Sequence, residues 1–341
     1  MTGQADQLTP EYHALLGIVR GYERSRAVTV AAELGIADLL RDGPRDVAGL
    51  AAATESHAPT LYRLLRALAA IGVFAEDDDG RFSLTPMGEY LRRDHPLSVD
   101  PPARMFGADY EWRAWGDLPH SVRTGETAAQ HALGVDVWEY RRRHPEHGAI
   151  FDATMRTFSR ADSARLVAAH DFGRYGCVAD VGGGTGAVLA AVLAAHPGVR
   201  GVLADQEHVV AGAPAVLCEA GVSDRVTIAP ADFFHRVPRG ADAYLLVRIL
   251  HDWPDDEAVR ILRTVRAALG PHGRVLIVDA VVGPPGEDPL TKFLDLMMLV
   301  SAGGRERTGP EWQDLVARAG LGLLGSTPVG PTRHLLEAVA V

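Results

Sequence analysis

The residues best suited to chemistry form a glycine-rich loop between two apolar runs. The first run, residues 177–181, leads directly into Gly-Gly-Gly-Thr-Gly at 182–186, and the second run stops at Asp205. Glycines such as Gly182 and Gly184 allow a sharp turn after a strand and a close approach of the backbone to a ligand. A carboxylate at the end of the second strand accepts hydrogen bonds from ribose hydroxyls. The spacing therefore predicts a βαβ unit that holds a nucleoside.

The spacing of these glycines also separates two kinds of nucleoside site. Dinucleotide-binding enzymes place their glycines as G-x-G-x-x-G around a pyrophosphate. The crowded glycines of this chain, with Asp180 just before them, resemble instead the nucleoside-binding loop of S-adenosylmethionine (SAM) methyltransferases. A nicotinamide oxidoreductase is thereby disfavoured.

Other polar groups follow the predicted strands, where an open α/β sheet binds its ligands. Asp232 and Phe233 can bind an exocyclic amine and stack on a purine, although by themselves they favour an acid that caps its own turn and a ring in the core. His251 lies at the tip of the fourth strand and Asp279 at the tip of the fifth. Residues 303–307, Gly-Gly-Arg-Glu-Arg, form a later charged loop that can reach the same cleft.

Alternating apolar runs and helical patterns from residue 176 onward predict the sheet that positions these loops. Such alternation builds a parallel sheet with helices on both faces. Two short apolar runs at the end of the chain, 321–325 and 335–341, predict an antiparallel hairpin at the sheet edge. The predicted strands are 177–181, 199–205, 225–230, 243–250 and 274–282, and the predicted helices are 186–195, 255–269 and 310–319.

Residues 12–89 predict a helical module that ends in a hairpin. Two β-like pieces, 73–75 and 81–84, flank an Asp-Asp-Asp-Gly turn, so that helix, turn, helix and hairpin together make a winged helix. Such a module either enters a DNA groove or pairs with a second copy. The helix at 60–72 carries leucines at 61, 64, 65 and 68, and this wide apolar face favours a protein partner over phosphates. We therefore expect a homodimer and no nucleic-acid partner.

Length and composition exclude several other classes. A chain of 341 residues exceeds the usual single-domain size, and a net charge of −10 disfavours a protein that coats nucleic acid or an anionic membrane. No apolar stretch is long enough to span a bilayer and no secretion signal is evident, which predicts a cytoplasmic protein without a membrane partner. The 2 cysteines are too few for a disulfide framework. No metal is expected, because the histidines lack ligand spacing.

Taken together, the motifs resemble those of small-molecule O-methyltransferases of the caffeate and acetylserotonin type. Within that family the chain looks closest to bacterial enzymes that tailor polyketide or other aromatic natural products. The resemblance implies a Rossmann-like class I methyltransferase domain, with a mixed seven-stranded sheet and helices on both faces, behind an N-terminal winged-helix dimerisation domain. The motifs that carry it are Asp-Val-Gly-Gly-Gly-Thr-Gly, Asp205, Asp232-Phe233-Phe234, Ile249-Leu250-His251-Asp252-Trp253 and Gly-Gly-Arg-Glu-Arg-Thr. We expect three segments. Residues 1–100 form the winged-helix dimerisation domain, 101–170 a helical linker that contributes to the substrate pocket, and 171–341 the SAM-binding catalytic domain.

The resemblance also assigns roles to single residues. His251 resembles the general base, and Glu306 and Asp279 resemble the two acids that flank and orient it. The resemblance implies SAM as cofactor and S-adenosylhomocysteine as product, with a small aromatic molecule as methyl acceptor. The residues that match SAM-binding positions are Gly182, Gly184, Asp205, Asp232, Phe233, Arg248 and Ser159.

Residues outside the sheet are candidates for binding the acceptor. Met155, with Met297 or Met298, resembles the thioethers that sandwich an aromatic ring in this family. Aromatic side chains such as Trp115 and Phe151 lie in the helical segment 101–170, where helical spacing fits either a core or an acceptor pocket. Asp152 completes the predicted acceptor site.

Four departures from the family pattern temper these roles. Gln206-Glu207 replaces Leu-Pro, Ala231 replaces Gly, Asp152 stands where Asn is frequent, and Asp279 is one methylene shorter than Glu. The shorter acid makes Glu306 the better partner for His251. Two further functions stay open: a SAM-binding enzyme of this fold that hydroxylates or decarboxylates, and a winged-helix DNA-binding regulator. The presence of His251 and Glu306 together favours methylation.

Overall fold

The computed structural model describes residues 9–341, which form two compact units. The first unit ends at Trp112, and the second runs from Arg113 to Val341. Helix α7, Asp109–Gly116, contains the point of division. The boundaries near residues 100 and 170 that the sequence indicated remain a prediction.

The first unit is a set of helices around a small antiparallel sheet. Leu61, Leu65 and Leu68 of one helix are buried in its core, beside Phe74 and Phe82 of a hairpin. The order helix, turn, helix, hairpin is the one the sequence predicted. The helices are α1 Pro10–Val19, α2 Gly21–Glu33, α3 Ile36–Leu39, α4 Val47–Ala53, α5 Ala58–Ala69 and α6 Asp100–Phe106, with a 3₁₀ turn at Gly88–Leu91. The strands are β1 Arg45–Asp46, β2 Phe74–Glu76 and β3 Arg81–Leu84, in the order β1-β3-β2.

Helix α1 leaves its apolar side chains in solvent. It buries none of its residues, and Leu15, Ile18 and Val19 are 63%, 75% and 63% exposed. Tyr22 at the start of α2 is 57% exposed. Exposed apolar patches of this kind mark protein-interaction sites.

The second unit is built on a mixed sheet. Strands β4 to β8 run parallel, whereas the C-terminal hairpin pairs antiparallel at one edge. The order is β10-β11-β8-β7-β4-β5-β6, and a short strand β9 pairs with β8 off this path. The strands are β4 Cys177–Val181, β5 Arg200–Ala204, β6 Val226–Ile228, β7 Ala243–Val247, β8 Arg274–Val282, β9 Arg307–Thr308, β10 Leu321–Pro328 and β11 Arg333–Ala340.

Helices cover both faces of this sheet, as the alternating pattern predicted. Tyr244 and Leu246 of β7 point into one core and Leu245 into the other, because successive strand residues face opposite sides. The helices are α8 Leu118–Thr124, α9 Ala128–Leu133, α10 Val137–Arg143, α11 Pro145–Ala169, α12 Ala187–Ala195, α13 Glu207–Val210, α14 Ala213–Glu219, α15 Asp255–Arg266, α16 Pro289–Ser301 and α17 Gly309–Arg318. Within residues 9–341, no helix combines the length and the apolarity needed to cross a bilayer.

Two details differ from the sequence-based expectation. The fourth strand ends at Val247 and not at residue 250, because Arg248 adopts a left-handed backbone with φ 57°. His251 therefore lies in a 3₁₀ turn, Leu250–Asp252, beyond the strand tip. Asp279 lies inside β8 and not at its tip, since β8 continues to Val282 alongside β9.

Candidate active site

The glycine loop after β4 has the geometry of a nucleoside-binding turn. Gly182 and Gly184 adopt left-handed backbones with φ of 72° and 60°, which residues with a side chain rarely do. The backbone N–H of Gly184 donates to Asp205 Oδ2 at 2.8 Å, and that of Gln206 donates to Oδ1 at 2.7 Å. Each carboxylate oxygen has a second lone pair, so Asp205 can still accept from a ribose diol.

The two loop glycines have different surroundings. A Cβ at Gly182 would lie 2.4 Å from Cδ1 of Ile249 and 3.5 Å from the Phe233 ring. A Cβ at Gly184 would meet no described atom within 4 Å. Gly182 is therefore needed for packing, whereas the space at Gly184 is open to a ligand. The structure thus fits a nucleoside at this loop.

Asp180 lies buried directly beneath this loop. Both of its carboxylate oxygens are enclosed and lack a hydrogen-bond partner among the described residues. Burial first, and then the neighbouring Asp205 carboxylate, raise the pKa of Asp180 to about 7. A Cβ on Gly183 would stand 2.6 Å from its carboxyl group, so the loop closes tightly over this acid.

Asp232 and Phe233 follow β6 and the short loop after it. Asp232 Oδ1 accepts from the N–H of Phe234 at 2.9 Å, which is the turn-capping role foreseen as the alternative. The rest of the Asp232 side chain is 52% exposed and can still receive a ligand. The ring of Phe233 lies between Gly182 and Trp253, 6.1 Å from the latter's ring centre.

His251 and Glu306 form a buried pair. His251 Nδ1 lies 2.7 Å from Glu306 Oε1, and the two side chains are 7% and 0% exposed. A carboxylate only accepts hydrogen bonds, so Nδ1 carries a proton in either charge state of the ring, and Nε2 presents its lone pair when the imidazole is neutral. The residues come from elements far apart in the sequence: the turn after β7 and the loop before β9.

Two more carboxylates surround this imidazole. Asp279 Oδ1 lies 3.9 Å from Nδ1, and Asp252 Oδ1 lies 3.6 Å from Nε2. Burial alone lowers the pKa of His251, but Glu306, Asp252 and Asp279 together raise it to about 9. Burial raises the pKa of Asp279 to about 7, against the attraction of His251. The result is a strongly basic imidazole in an enclosed site.

Of the two flanking acids, Asp279 lies farther from the His251 ring than Glu306 does. Its Oδ2 accepts from the N–H of Leu250 at 3.3 Å, and its Oδ1 has no hydrogen-bond partner among residues 9–341. Glu306 is anchored through its backbone N–H, which donates to Asp295 Oδ1 of α16 at 2.8 Å. Asp252 was not assigned a role from the sequence, although it adjoins His251.

Arg248 contacts helix α11, which also carries Ser159. The Arg248 guanidinium pairs with Asp162 and lies 5.2 Å from the centre of the Phe158 ring. Asp162 also accepts from Arg333 Nε at 3.0 Å. Burial, and then the nearby Arg333, lower the pKa of Arg248 to about 10. Ser159 lies on the same helix, half-buried, one turn before Asp162.

The predicted acceptor residues lie on three helices of the second unit. Phe151, exposed Asp152 and half-buried Met155 belong to α11, and Met297 and buried Met298 belong to α16. The remaining candidate, Trp115 of α7, is 36% exposed. These assignments stay predictions.

An aromatic chain, which the sequence did not indicate, links α11 to the turn that carries His251. The Trp138 ring of α10 meets Phe151 edge-on at 5.7 Å between ring centres. It also lies nearly parallel to Trp253, at 6.5 Å and 19°. Trp253 follows the His251 turn, so α10 and α11 pack toward that turn.

No group of three or more histidine, cysteine or acidic side chains within residues 9–341 is arranged to hold a metal ion. The acids around His251, namely Glu306, Asp279 and Asp252, instead lie close to its imidazole ring. The chemistry that this arrangement supports is proton transfer by an oriented imidazole beside a nucleoside site.

Comparison with known proteins identifies the family. Residues 115–322 match the profile of the O-methyltransferase domain, and residues 16–94 match that of the O-methyltransferase dimerisation domain. A phenazine O-methyltransferase of Lysobacter antibioticus is 42% identical over 325 residues, which is 95% of each chain. An 8-amino-8-demethylriboflavin N,N-dimethyltransferase of Streptomyces davaonensis is 42% identical, covering 90% of this chain and 89% of its own.

A solved structure supports the same family assignment. An O-methyltransferase from neocarzinostatin biosynthesis, crystallised with S-adenosylhomocysteine and 1,4-dihydroxy-2-naphthoic acid, matches with a TM-score of 0.80 at 36% identity, over 93% of this chain and 96% of that one. The glycine loop and Asp205 fit the same cofactor. The chain therefore belongs to the SAM-dependent O-methyltransferases that carry a dimerisation domain.

Proposed function

We propose that this enzyme methylates a phenolic hydroxyl of an aromatic natural product, with His251 as general base. The observation that carries the proposal is the buried hydrogen bond of 2.7 Å between His251 Nδ1 and Glu306 Oε1. It fixes the tautomer in which Nε2 is free to take a proton. It also places a negative charge where the imidazolium will form.

The raised basicity of His251 suits a phenol. An ordinary imidazole with a pKa near 6.5 is mismatched with a phenol of about 10 by roughly 3.5 pKa units, or about 5 kcal/mol. With the His251 pKa raised to about 9, the mismatch falls to about 1 unit, or roughly 1.4 kcal/mol. The three surrounding carboxylates therefore supply most of the match in proton affinity between base and acceptor.

The cofactor site supplies the other half of the reaction. When bound, SAM supplies a methyl group activated by its sulfonium charge. Asp205 would hold the ribose hydroxyls, Gly182 and Gly184 would admit the nucleoside to the backbone, and Asp232 with Phe233 would bind the adenine. Ser159 and Arg248 belong to the same proposed set, with Arg248 acting from its ion pair with Asp162.

Positioning should contribute more than proton transfer. Alignment of two reactants supplies about 7–11 kcal/mol, against roughly 3–5 kcal/mol for general-base catalysis. Met155 and Met298 of the second unit would hold the acceptor ring, together with Met297, Phe151, Asp152 and Trp115. The names of the relatives support an aromatic acceptor, since they include a phenazine and a naphthoate enzyme.

The atom that receives the methyl group is an oxygen in this proposal. Two relatives are named N-methyltransferases, so the family profile alone does not settle the point. The buried His251–Glu306 pair favours oxygen, because a phenol must lose its proton to become a strong nucleophile, whereas a neutral amine already has a free lone pair. A matched aminophenol and SAM with a carbon-13-labelled methyl group distinguish the two products by NMR, because O-methyl and N-methyl carbons differ in chemical shift although the two products have the same mass.

We also propose that the enzyme is a homodimer through its first unit. The dimerisation-domain match and the exposed apolar side chains of α1 support this assembly. A DNA-binding role for the same unit is not needed to explain that surface.

The test of the proposed function is His251→Ala. Turnover should fall by about 10²–10⁴-fold while SAM affinity stays nearly unchanged, because the imidazole acts on the acceptor proton. His272→Ala, at an exposed position outside the site, is the matched control and should keep full turnover. Full activity of His251→Ala would refute the general-base proposal.

A further inference from the structure

Arg307 is a completely buried arginine next to the acid of the catalytic pair. Its side chain is 0% exposed, whereas its neighbour Arg305 is 45% exposed. Arg307 begins β9, which pairs with β8 at Val281. Arg305 precedes this strand and its side chain lies at the surface, whereas the side chain of Arg307, within the strand, is enclosed.

The Arg307 guanidinium contacts both sides of the turn that carries His251. Its Nη1 donates to the backbone oxygen of Leu250 at 3.0 Å, and its Nη2 donates to that of Trp253 at 2.9 Å. Its Nε donates to Asp255 Oδ1 at 2.9 Å. One rigid planar group thus joins the residue before His251, the second residue after it and the first residue of α15.

The backbone of the same loop closes around this turn from the other side. The N–H of Arg305 donates to the backbone oxygen of His251 at 2.9 Å. A Cβ on Gly304 would lie 2.0 Å from that oxygen and 2.7 Å from the N of Trp253. Because these neighbours are backbone atoms, they cannot move aside for a side chain, and the loop fits the turn only with glycine at 304.

The turn itself lies outside the hydrogen-bonded strands of the sheet. It follows the left-handed residue Arg248 and consists of a short 3₁₀ segment. The Leu250 carbonyl accepts one long backbone hydrogen bond, from the N–H of Trp253 at 3.4 Å, and the Arg307 guanidinium adds a donor to it and to the carbonyl of Trp253. An arginine can do this, since its fork presents several donors in one plane, whereas a lysine presents a single point of charge.

We infer that Arg307 is a positioning residue for methyl transfer: its guanidinium fixes the turn at Leu250 and Trp253 and thereby holds the His251 ring in hydrogen-bonding contact with Glu306. Glu306 and Arg307 are adjacent, so one loop delivers both the acid that charges the imidazole and the cation that fixes its backbone. The Arg307 charge is balanced by Asp255, and its guanidinium lies 5.2 Å from the Trp312 ring centre. Arg307 touches neither reactant.

This inference rests on the proposed role of His251, and the experiment separates the two. Arg307→Lys keeps the positive charge but loses the planar guanidinium group with its several donors. Arg318→Lys is the matched control, since Arg318 pairs with Asp255 and Asp256 from the surface without reaching the turn. For each variant, kcat and KM for the acceptor, SAM affinity by calorimetry and the pH dependence of kcat/KM are measured.

Arg307→Lys should lower kcat by about 10- to 100-fold, the cost of a misplacement near 1 Å, with KM and SAM affinity within about threefold of the wild type. The ascending limb of the pH profile, which reports the loss of the His251 proton, should move to lower pH, because a loosened turn weakens the contact between His251 and Glu306. Arg318→Lys should keep the wild-type kcat and limb. A merely structural loss would scale the rate equally at every pH and leave the limb in place.

Arg307→Lys with wild-type kcat, or with a reduced kcat and an unmoved limb, would overturn the inference while leaving the proposed function intact. Full activity in His251→Ala would instead remove the proposed function itself. If Arg307→Lys fails to fold, Asp255→Asn carries the test, because it removes the carboxylate that orients Nε from outside the turn. A limb displaced to lower pH then supports the inference, and a wild-type limb overturns it.

Discussion

Replacing Glu306 by glutamine tests how the site sets the basicity of His251. The amide oxygen can still accept the hydrogen bond from Nδ1, but the charge that most strongly raises the His251 pKa is lost. Burial, which lowers that pKa, then meets less opposition, and the His251 pKa should fall from about 9 toward its ordinary value of 6.5. A fall of 2.5 units would correspond to about 3 kcal/mol.

The consequence for rate follows from the protonation state of the base. With a pKa of about 9, only ~1% of His251 is neutral at pH 7, so kcat/KM should rise roughly tenfold per pH unit up to about pH 8.5. In Glu306→Gln this ascending limb of the kcat/KM profile should move to lower pH. The plateau should fall by about 10- to 100-fold, because a less basic imidazole takes the proton less readily.

The assay is methyl transfer from labelled SAM between about pH 6 and 10, with initial rates at low acceptor concentration reporting kcat/KM. Glu287→Gln, an exposed acid in the loop before α16, is the matched control and should reproduce the wild-type profile. The double variant His251→Ala with Glu306→Gln should be little worse than His251→Ala alone, since the two residues act as a unit. A limb that stays in place in Glu306→Gln, or additive losses in the double variant, would refute the coupling.

Three further outcomes are expected. Asp205→Ala should weaken SAM binding by about 1.5–3 kcal/mol for each lost charge-assisted hydrogen bond, and unchanged affinity in calorimetry would remove Asp205 from the site. Ile18→Glu, at a 75% exposed position of α1, should dissociate a wild-type dimer seen by sedimentation at low micromolar concentration; a wild-type monomer would contradict the assembly. Asp180 has a pKa raised to about 7, so its contribution to the free energy of unfolding is present below about pH 4 and lost as pH rises through 7, by up to about 4 kcal/mol. Asp180→Asn should flatten that loss in urea titrations, and an unchanged pH dependence would show that Asp180 does not titrate in this range.

The sheet and its glycine loop were predictable because local signals specify them. Apolar runs ending in glycine or a carboxylate marked β4 and β5 within a residue of their observed ends. The family motifs likewise indicated His251 and Glu306, and the structure brings them together across 55 residues of sequence.

The turn that carries His251 was less predictable because long-range contacts shape it. Apolar residues continue to Leu250, so periodicity extended β7 too far, whereas Arg248 leaves the strand in a left-handed conformation. An ordinary residue there costs about 1–2 kcal/mol, and its side chain is held by Asp162 of α11. The burial of Arg307 could not be inferred either, since arginine is rarely buried unless paired, and its partners at 250, 253 and 255 become neighbours only in the folded chain.

Because of the ion pairs at Asp162, the two halves of helix α11 differ in how tightly they are bound to the sheet, and therefore in how readily their residues can be substituted. Asp162 receives guanidinium groups from Arg248 and Arg333, and Leu166 is buried in the core, so the second half of the helix is fastened to the sheet. The first half carries exposed Asp152 and half-buried Met155, away from those ties. A library meant to broaden the range of acceptors should therefore vary the first half of α11 and leave Asp162 untouched, because a change there would disturb the strand exit that leads to His251.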